Sequence, residues 1–274
     1  MDLHGKSALV SGSSRGIGRG IALKLAGSGS KVAIHYFENE AAAKTTLAKV
    51  RELGSDGFVI QADIRKLEDI RKMFQQVKKE FGRLDIFVSN ARTEPSTFYQ
   101  PPMEITMECW DTAVDSQAKA FLVAVREAAP MMGSGGRIIA ITYAPGGQYG
   151  SWQPWVAMGA AKSALEVLCR YFAVALAHRG ITVNALSPGW IEDSVLNSLP
   201  DAAQDAIRQW HQSGWTPMRR LGTPADIGNA AALLCSPEAS WITGQLINVD
   251  GGAGLMNALM PLDVQQAVPK AANS

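Results

Sequence analysis

Short, unbroken apolar runs alternate with segments of helical period along almost the whole chain, and that alternation constrains the fold more than any single motif. The runs are Ser7–Ser11, Lys31–Tyr36, Phe58–Gln61, Leu84–Ser89, Arg137–Thr142, Thr182–Leu186 and Leu246–Val249. A strand with one face in water alternates apolar and polar residues. These do not, so both faces must be covered, as in a parallel sheet between two helical layers. Helices are predicted from the glycine cluster at 12–18 onward, over 39–53, 67–81, within 103–132, over 154–178 and over 224–235. Gly54 and Gly82 act as stops, and Pro154 suits a first turn. The expected fold is a single α/β domain over residues 1–252, with a doubly wound parallel sheet of seven strands. Residues 190–222, irregular and carrying Trp210 and Trp215, read as a lid over a pocket. Residues 253–274 read as a C-terminal extension, either a tail or a subunit contact.

Charge narrows the partners. With 26 basic and 25 acidic residues the formal net charge is +1, which leaves no field of one sign to attract nucleic acid or an anionic membrane. The three cysteines, Cys109, Cys169 and Cys235, are far apart, lack the spacing of a metal site, and read as reduced core thiols. The N-terminus runs straight into a strand pattern, and no stretch reaches the ~20 apolar residues of a membrane span. A soluble cytoplasmic protein that binds no metal is expected.

Between the first strand and its helix lies Gly12-Ser13-Ser14-Arg15-Gly16-Ile17-Gly18. A glycine turn there lets the backbone approach a pyrophosphate, and the helix N-terminus offers free N–H groups and a positive dipole end. Asp63, followed by Ile64 after the third strand, is placed to accept from an adenine amino group and equally to cap the next helix. Asn90-Ala91 ends the fourth strand at the edge where doubly wound sheets bind ligands.

The set SGSSRGIG, Asp63, Ser89-Asn90-Ala91, a lysine-bearing helix, NALSPG at 184–189 and VDGG at 249–252 resembles the short-chain dehydrogenase/reductase family over about residues 5–252. The phrases MFQQVKKEFGRLDIFVSNA, QAKAFLVAVREAA and AAKSALEVLCRYFAVALA are most similar to its enoyl-acyl-carrier-protein reductase III branch. The resemblance implies a Rossmann fold, a nicotinamide cofactor with Pro188, Gly189 and Ile191 at its nicotinamide end, and a homotetramer. Tyr36 stands where an acidic residue would hold a ribose 2′-OH, and Arg15 can pair with a 2′-phosphate. NADPH is therefore expected over NADH, although Glu38 and Phe37 depart from the usual NADPH pattern.

That family's serine, tyrosine, lysine and asparagine are replaced here by Tyr143, Met158, Lys162 and Gln117; only the lysine is kept. Trp155 occupies the alternative tyrosine position seven residues before the lysine, about 700 degrees around the helix and so on the same face. A methionine cannot donate a proton. Hydride addition to an enoyl thioester gives an enolate, which tolerates hydrogen-bond donors weaker than an acid. The expected reaction is therefore NADPH-dependent reduction of enoyl-acyl-carrier-protein in fatty acid synthesis, on a free or carrier-bound acyl substrate. Tyr149 is the first candidate donor, Tyr143 the second, and Gln153 and Trp155 support them, while Lys162 holds the ribose. The alternatives are a 3-oxoacyl or ketone reductase with a relocated tyrosine, and a non-catalytic NADPH-binding protein.

Overall fold

The structure, a computed structural model, describes residues 2–94, 96, 98–143, 152–193 and 195–266. Seven strands form one parallel sheet: β1 (Ser7–Val10), β2 (Lys31–Tyr36), β3 (Gly57–Gln61), β4 (Ile86–Ser89), β5 (Arg137–Ile141), β6 (Thr182–Pro188) and β7 (Leu246–Val249). Their order is β3-β2-β1-β4-β5-β6-β7. Every pairing is parallel. The order reverses between β1 and β4, which opens a crevice at the carboxyl ends of those strands.

The unbroken apolar strands are explained by two cores, one on each face. Ala8, Val10, Ile86, Val88, Ile139 and Ile141 meet α1 (Gly16–Gly27), α2 (Glu40–Glu52) and the helix Pro224–Cys235. Their strand neighbours Leu9, Phe87, Ile138 and Ala140 meet α3 (Leu67–Phe81), the helix Ala120–Ala128 and the helix Val156–Ala177. Successive side chains thus bury in opposite layers, as the two-residue period of a strand requires. Each large apolar side chain so buried contributes about 1.5–3 kcal/mol.

The helical material expected within 103–132 is divided into pieces. It comprises α4 (Met107–Val114), a π-helical turn over Asp115–Lys119 and α5 (Ala120–Ala128). Next come α6 (Val156–Ala177), α7 (Asp201–Trp210), α8 (Pro224–Cys235) and the short α9 (Leu262–Gln265). Thr223 caps α8 through a reciprocal box with Asp226, whose carboxylate also takes two hydrogen bonds from Arg220. The ends of residues 190–222 are tied together: Glu192 N–H donates to the Gly222 carbonyl at 2.8 Å, and Gly222 N–H to that of Trp190 at 2.9 Å. The extension lies against this segment through Gln266 Nε2, which donates to the Gly214 carbonyl at 2.6 Å. No helix among the described residues is long and apolar enough to cross a membrane.

Candidate active site

Only glycine fits the turn before α1. A Cβ on Gly18 would sit 2.3 Å from the Gly12 carbonyl oxygen, and one on Gly12, whose φ is +65°, 2.9 Å from the Ala91 Cα. No side chain caps the N-terminus of α1 and its first turn carries no acidic residue. Its free N–H groups and positive dipole end therefore suit a phosphate.

His35 and Asn90 hold the turn in place. Gly12 N–H donates to His35 Nδ1 at 2.8 Å, so the ring proton is on Nε2, which donates to the Ala62 carbonyl at 3.1 Å. Burial pushes the His35 pKa down to about 4 and keeps the ring neutral. Asn90 Nδ2 donates to the carbonyls of Ser11 and Gly12 at 2.9 and 3.2 Å. Ser13 differs from expectation. It is fully buried and faces the strands, its Oγ donating to the Val10 carbonyl and accepting from His35 N–H, so it is a strut and not part of the cleft wall.

Fourteen of the residues expected to bind the cofactor converge on a cavity of about 640 Å³: Gly12, Ser14, Arg15, Gly16, Ile17, Gly18, Asp63, Ile64, Asn90, Ala91, Lys162, Pro188, Gly189 and Ile191. At its adenosine end two expectations change. Asp63 is occupied by Arg65, which donates to its two carboxylate oxygens at 2.9 and 2.8 Å, and the Arg65 guanidinium lies 5.3 Å over the Phe37 ring. Burial raises the Asp63 pKa, but these hydrogen bonds outweigh it and the net shift is downward. Arg15 is ion-paired with Glu94. Arg65 provides the basic side chain near the end of β2 that Phe37 does not.

At the other end Lys162 is 5% exposed and its Nζ donates to the Ile141 carbonyl at 2.6 Å. Burial, and then the Arg92 charge, bring its pKa from 10.5 to about 7, against the opposing pull of Glu166. Met158 is 0% exposed and lines the same wall. Gln117 is buried on the π-helical turn and donates to the carbonyls of Ser116 and Ala91.

The expected donors fare unequally. Tyr143 lines the cavity and packs 5.5 Å from Trp155, but burial raises its pKa and Asp193 adds to the rise, so it is a poorer acid than a free tyrosine. Trp155 also lines the cavity, with Nε1 buried and without a partner among the described residues. Gln153 is exposed and outside the lining, because Pro154 opens a tight turn that carries it away from α6. Tyr149 lies outside the described residues. An aromatic layer backs this end: Trp152 stacks on Trp155 at 5.0 Å and 4°, Phe98 meets Trp155 edge-on at 5.0 Å, and Trp190 stands 5.8 Å from Trp152.

Besides Arg65 and Glu94, two further charged cavity residues were not anticipated. Arg92 follows Asn90-Ala91, and its Nη1 donates to the Thr93 carbonyl at 2.7 Å. Asp193 accepts from Val195 N–H at 2.9 Å, and burial raises its pKa. A basic residue directly beyond a strand's carboxyl end was the available signal for Arg92; Asp193 lay hidden in the irregular segment read as a lid.

Residues 12–254 match the family described as Enoyl-(Acyl carrier protein) reductase. A hydroxynaphthalene reductase-like protein, Arp2 of Metarhizium robertsii, is 34% identical over 92% of this chain and 96% of its own length. The 3-oxoacyl-(acyl-carrier-protein) reductase FabG of Staphylococcus epidermidis is 35% identical over 90% of this chain and 98% of its own. Among solved structures, the angucycline C-6 ketoreductase LanV with bound NADP superposes with a TM-score of 0.83, at 33% identity over 93% of this chain and 98% of that one.

Proposed function

The chain belongs to the short-chain dehydrogenase/reductase family and is an oxidoreductase; on that premise we propose that it is an NADPH-dependent carbonyl reductase acting on a planar ketone. The observation that carries this reading is Lys162, buried in the cavity wall with its pKa brought to about 7. The expectation of enoyl reduction rested on the lack of a proton donor. A lysine that titrates near neutrality supplies one, since a general acid works best when its pKa is close to the working pH.

The glycine turn, the bare N-terminus of α1 and the neighbouring strand ends fit a dinucleotide. Gly16, Ile17 and Gly18 would hold its diphosphate, Pro188, Gly189 and Ile191 its nicotinamide end, and Arg15 and Arg65 would be the cations at the 2′-phosphate. NADPH supplies the hydride when bound. The Ile141 carbonyl aims Lys162 Nζ, and the ammonium gives its proton to the ketone oxygen. Solvent then reprotonates the amine. Met158 excludes water beside Nζ without competing for the proton. The flat surfaces of Trp155 and Trp190 suit a fused-ring ketone, and the hydroxynaphthalene reductase-like protein and the ketoreductases among the relatives support that class.

NADPH oxidation tests the reading with 2-tetralone, a 3-oxoacyl thioester and crotonyl thioester in parallel. Ketone turnover is expected, and Lys162→Met should lower it about 10²- to 10⁴-fold, the usual contribution of a general acid. Turnover of the enoyl thioester alone would restore enoyl reduction. Tight NADPH binding with no turnover of any of them would mark a binding protein.

A further inference from the structure

Arg92 is a partly buried cation with no ion pair among the described residues, the charges of Glu94 and Asp193 acting on it only from farther off. Its one hydrogen bond among the described residues goes to the adjacent Thr93 carbonyl, and no described carboxylate lies within 4.0 Å of its guanidinium. Asp193, on the same wall, is bound to its own backbone at Val195. A guanidinium has five N–H donors in a planar fork, so most of its capacity is open toward the cavity it lines. Withdrawing an unpaired charge from water costs several kcal/mol, and a fold that carries such a group without a partner has a place for a ligand of opposite sign. Lys162, the second cation on this wall, likewise bonds only to a neutral carbonyl. Trp155 Nε1 and Thr93 Oγ1 are buried on the same lining without partners among the described residues. Unmatched donors therefore converge at one end of the cleft, beside the aromatic faces of Tyr143, Trp155 and Trp190.

We propose that Arg92 is the oxyanion receptor of this site, binding an acidic or developing anionic oxygen on a planar, fused-ring substrate held against Trp155. In turnover a hydride, which bound NADPH would supply, adds to the carbonyl carbon and the π pair moves onto that oxygen; Arg92 would stabilise the charge until Lys162 gives its proton and the alcohol leaves. The same contact makes the cleft select fused-ring compounds that carry a carboxylate, phenolate or enolate over neutral ones of equal shape. The turnover step rests on the proposed function; the binding preference takes from it only the planar shape of the occupant.

Calorimetric titration of 2-naphthoate and 2-acetonaphthone, an anionic and a neutral ligand of one shape, tests it without turnover, with and without NADP⁺. The full-length protein should prefer 2-naphthoate. Arg92→Gln should weaken 2-naphthoate about tenfold or more, the worth of a charge-assisted hydrogen bond, and leave 2-acetonaphthone within about threefold. Arg92→Lys, which keeps the charge but loses the fork, should fall between them. Equal affinities in the unaltered protein would overturn the inference whether or not the variants fold. So would a parallel loss of both ligands in Arg92→Gln, or a loss of NADP⁺ affinity with the 2-naphthoate preference intact, since Arg92 would then serve the wall or the cofactor. A 2-naphthoate preference that depends on Arg92 in a protein that reduces no ketone would leave this inference standing and overturn the proposed reaction.

Discussion

With Met158 in place of a phenol, Lys162 has no hydroxyl to hold it, and its proton affinity is set by burial and by Arg92. Its folded pKa of about 7 lies below the unfolded 10.5, so between those values the unfolded chain binds the proton more tightly. The penalty on folding is complete below about pH 7 and fades as the pH rises toward 10.5. Lys162→Met should therefore gain melting temperature relative to the parent at pH 6 and lose that advantage by pH 10; a difference that does not change with pH would refute the burial argument. Cysteine chemistry gives an independent check. Burial pushes the thiols of Cys169 and Cys235 up to about 12, while Cys109 is partly exposed. A thiol reagent should label Cys109 alone in the native protein and all three cysteines after denaturation. The core placement expected of the three cysteines holds for Cys169 and Cys235 and not for Cys109; the loss of the tyrosine was readable directly. The consequence of that loss was not, because whether a lysine is an acid depends on how dry its surroundings are, and Arg92 reaches it from a loop 70 positions earlier in the chain.

Elements were legible wherever their periodicity was uninterrupted. The strand pattern gave β2 and β7 their full extent and α3 its limits, because each is an apolar run or stripe closed by glycine or a charged turn. Helices do lie within 103–132, but periodicity does not divide that stretch, since the π-helical turn at Asp115–Lys119 lodges an extra residue without altering the apolar pattern on either side. Contacts between elements are also beyond periodicity. Gly20 of α1 meets the start of α8 so closely that a Cβ would lie 2.3 Å from the Pro224 carbonyl oxygen, whereas at Gly27 it would find Leu53 Cδ1 at 3.8 Å. Gly20→Ala should therefore cost about 1–3 kcal/mol by forcing the helices apart. Gly27→Ala in the same helix should be neutral or stabilise by up to about 1 kcal/mol. Denaturant melts of the pair separate a close approach from a general preference for alanine in helices.

At the scale of the molecule, the crevice joins residues remote in sequence, and one ion pair spans its mouth. Arg15 comes from the turn after β1 and Glu94 from the loop after β4, the two strands between which the sheet reverses. Both side chains are more than half exposed, so their pairing is readily exchanged for another anion. Glu94→Gln should free Arg15 and tighten NADPH about two- to fivefold with little change for NADH, within the range of an exposed ion pair; equal gains for the two cofactors would place Arg15 away from the 2′-phosphate. The position of Arg15 in the glycine turn suggested a phosphate partner but could not reveal Glu94 as a competitor, because that contact exists only once β1 and β4 lie side by side.

His35 ties the glycine turn to two strands while remaining uncharged, with one ring nitrogen on the Gly12 amide and the other on the Ala62 carbonyl. The turn therefore surrenders its conformational entropy when the chain folds, and little remains to be lost when a dinucleotide enters. Dinucleotide binding at that end of the cleft should therefore be docking on a finished surface, with an association rate that responds to opening of the Arg15–Glu94 pair and not to rearrangement of the turn.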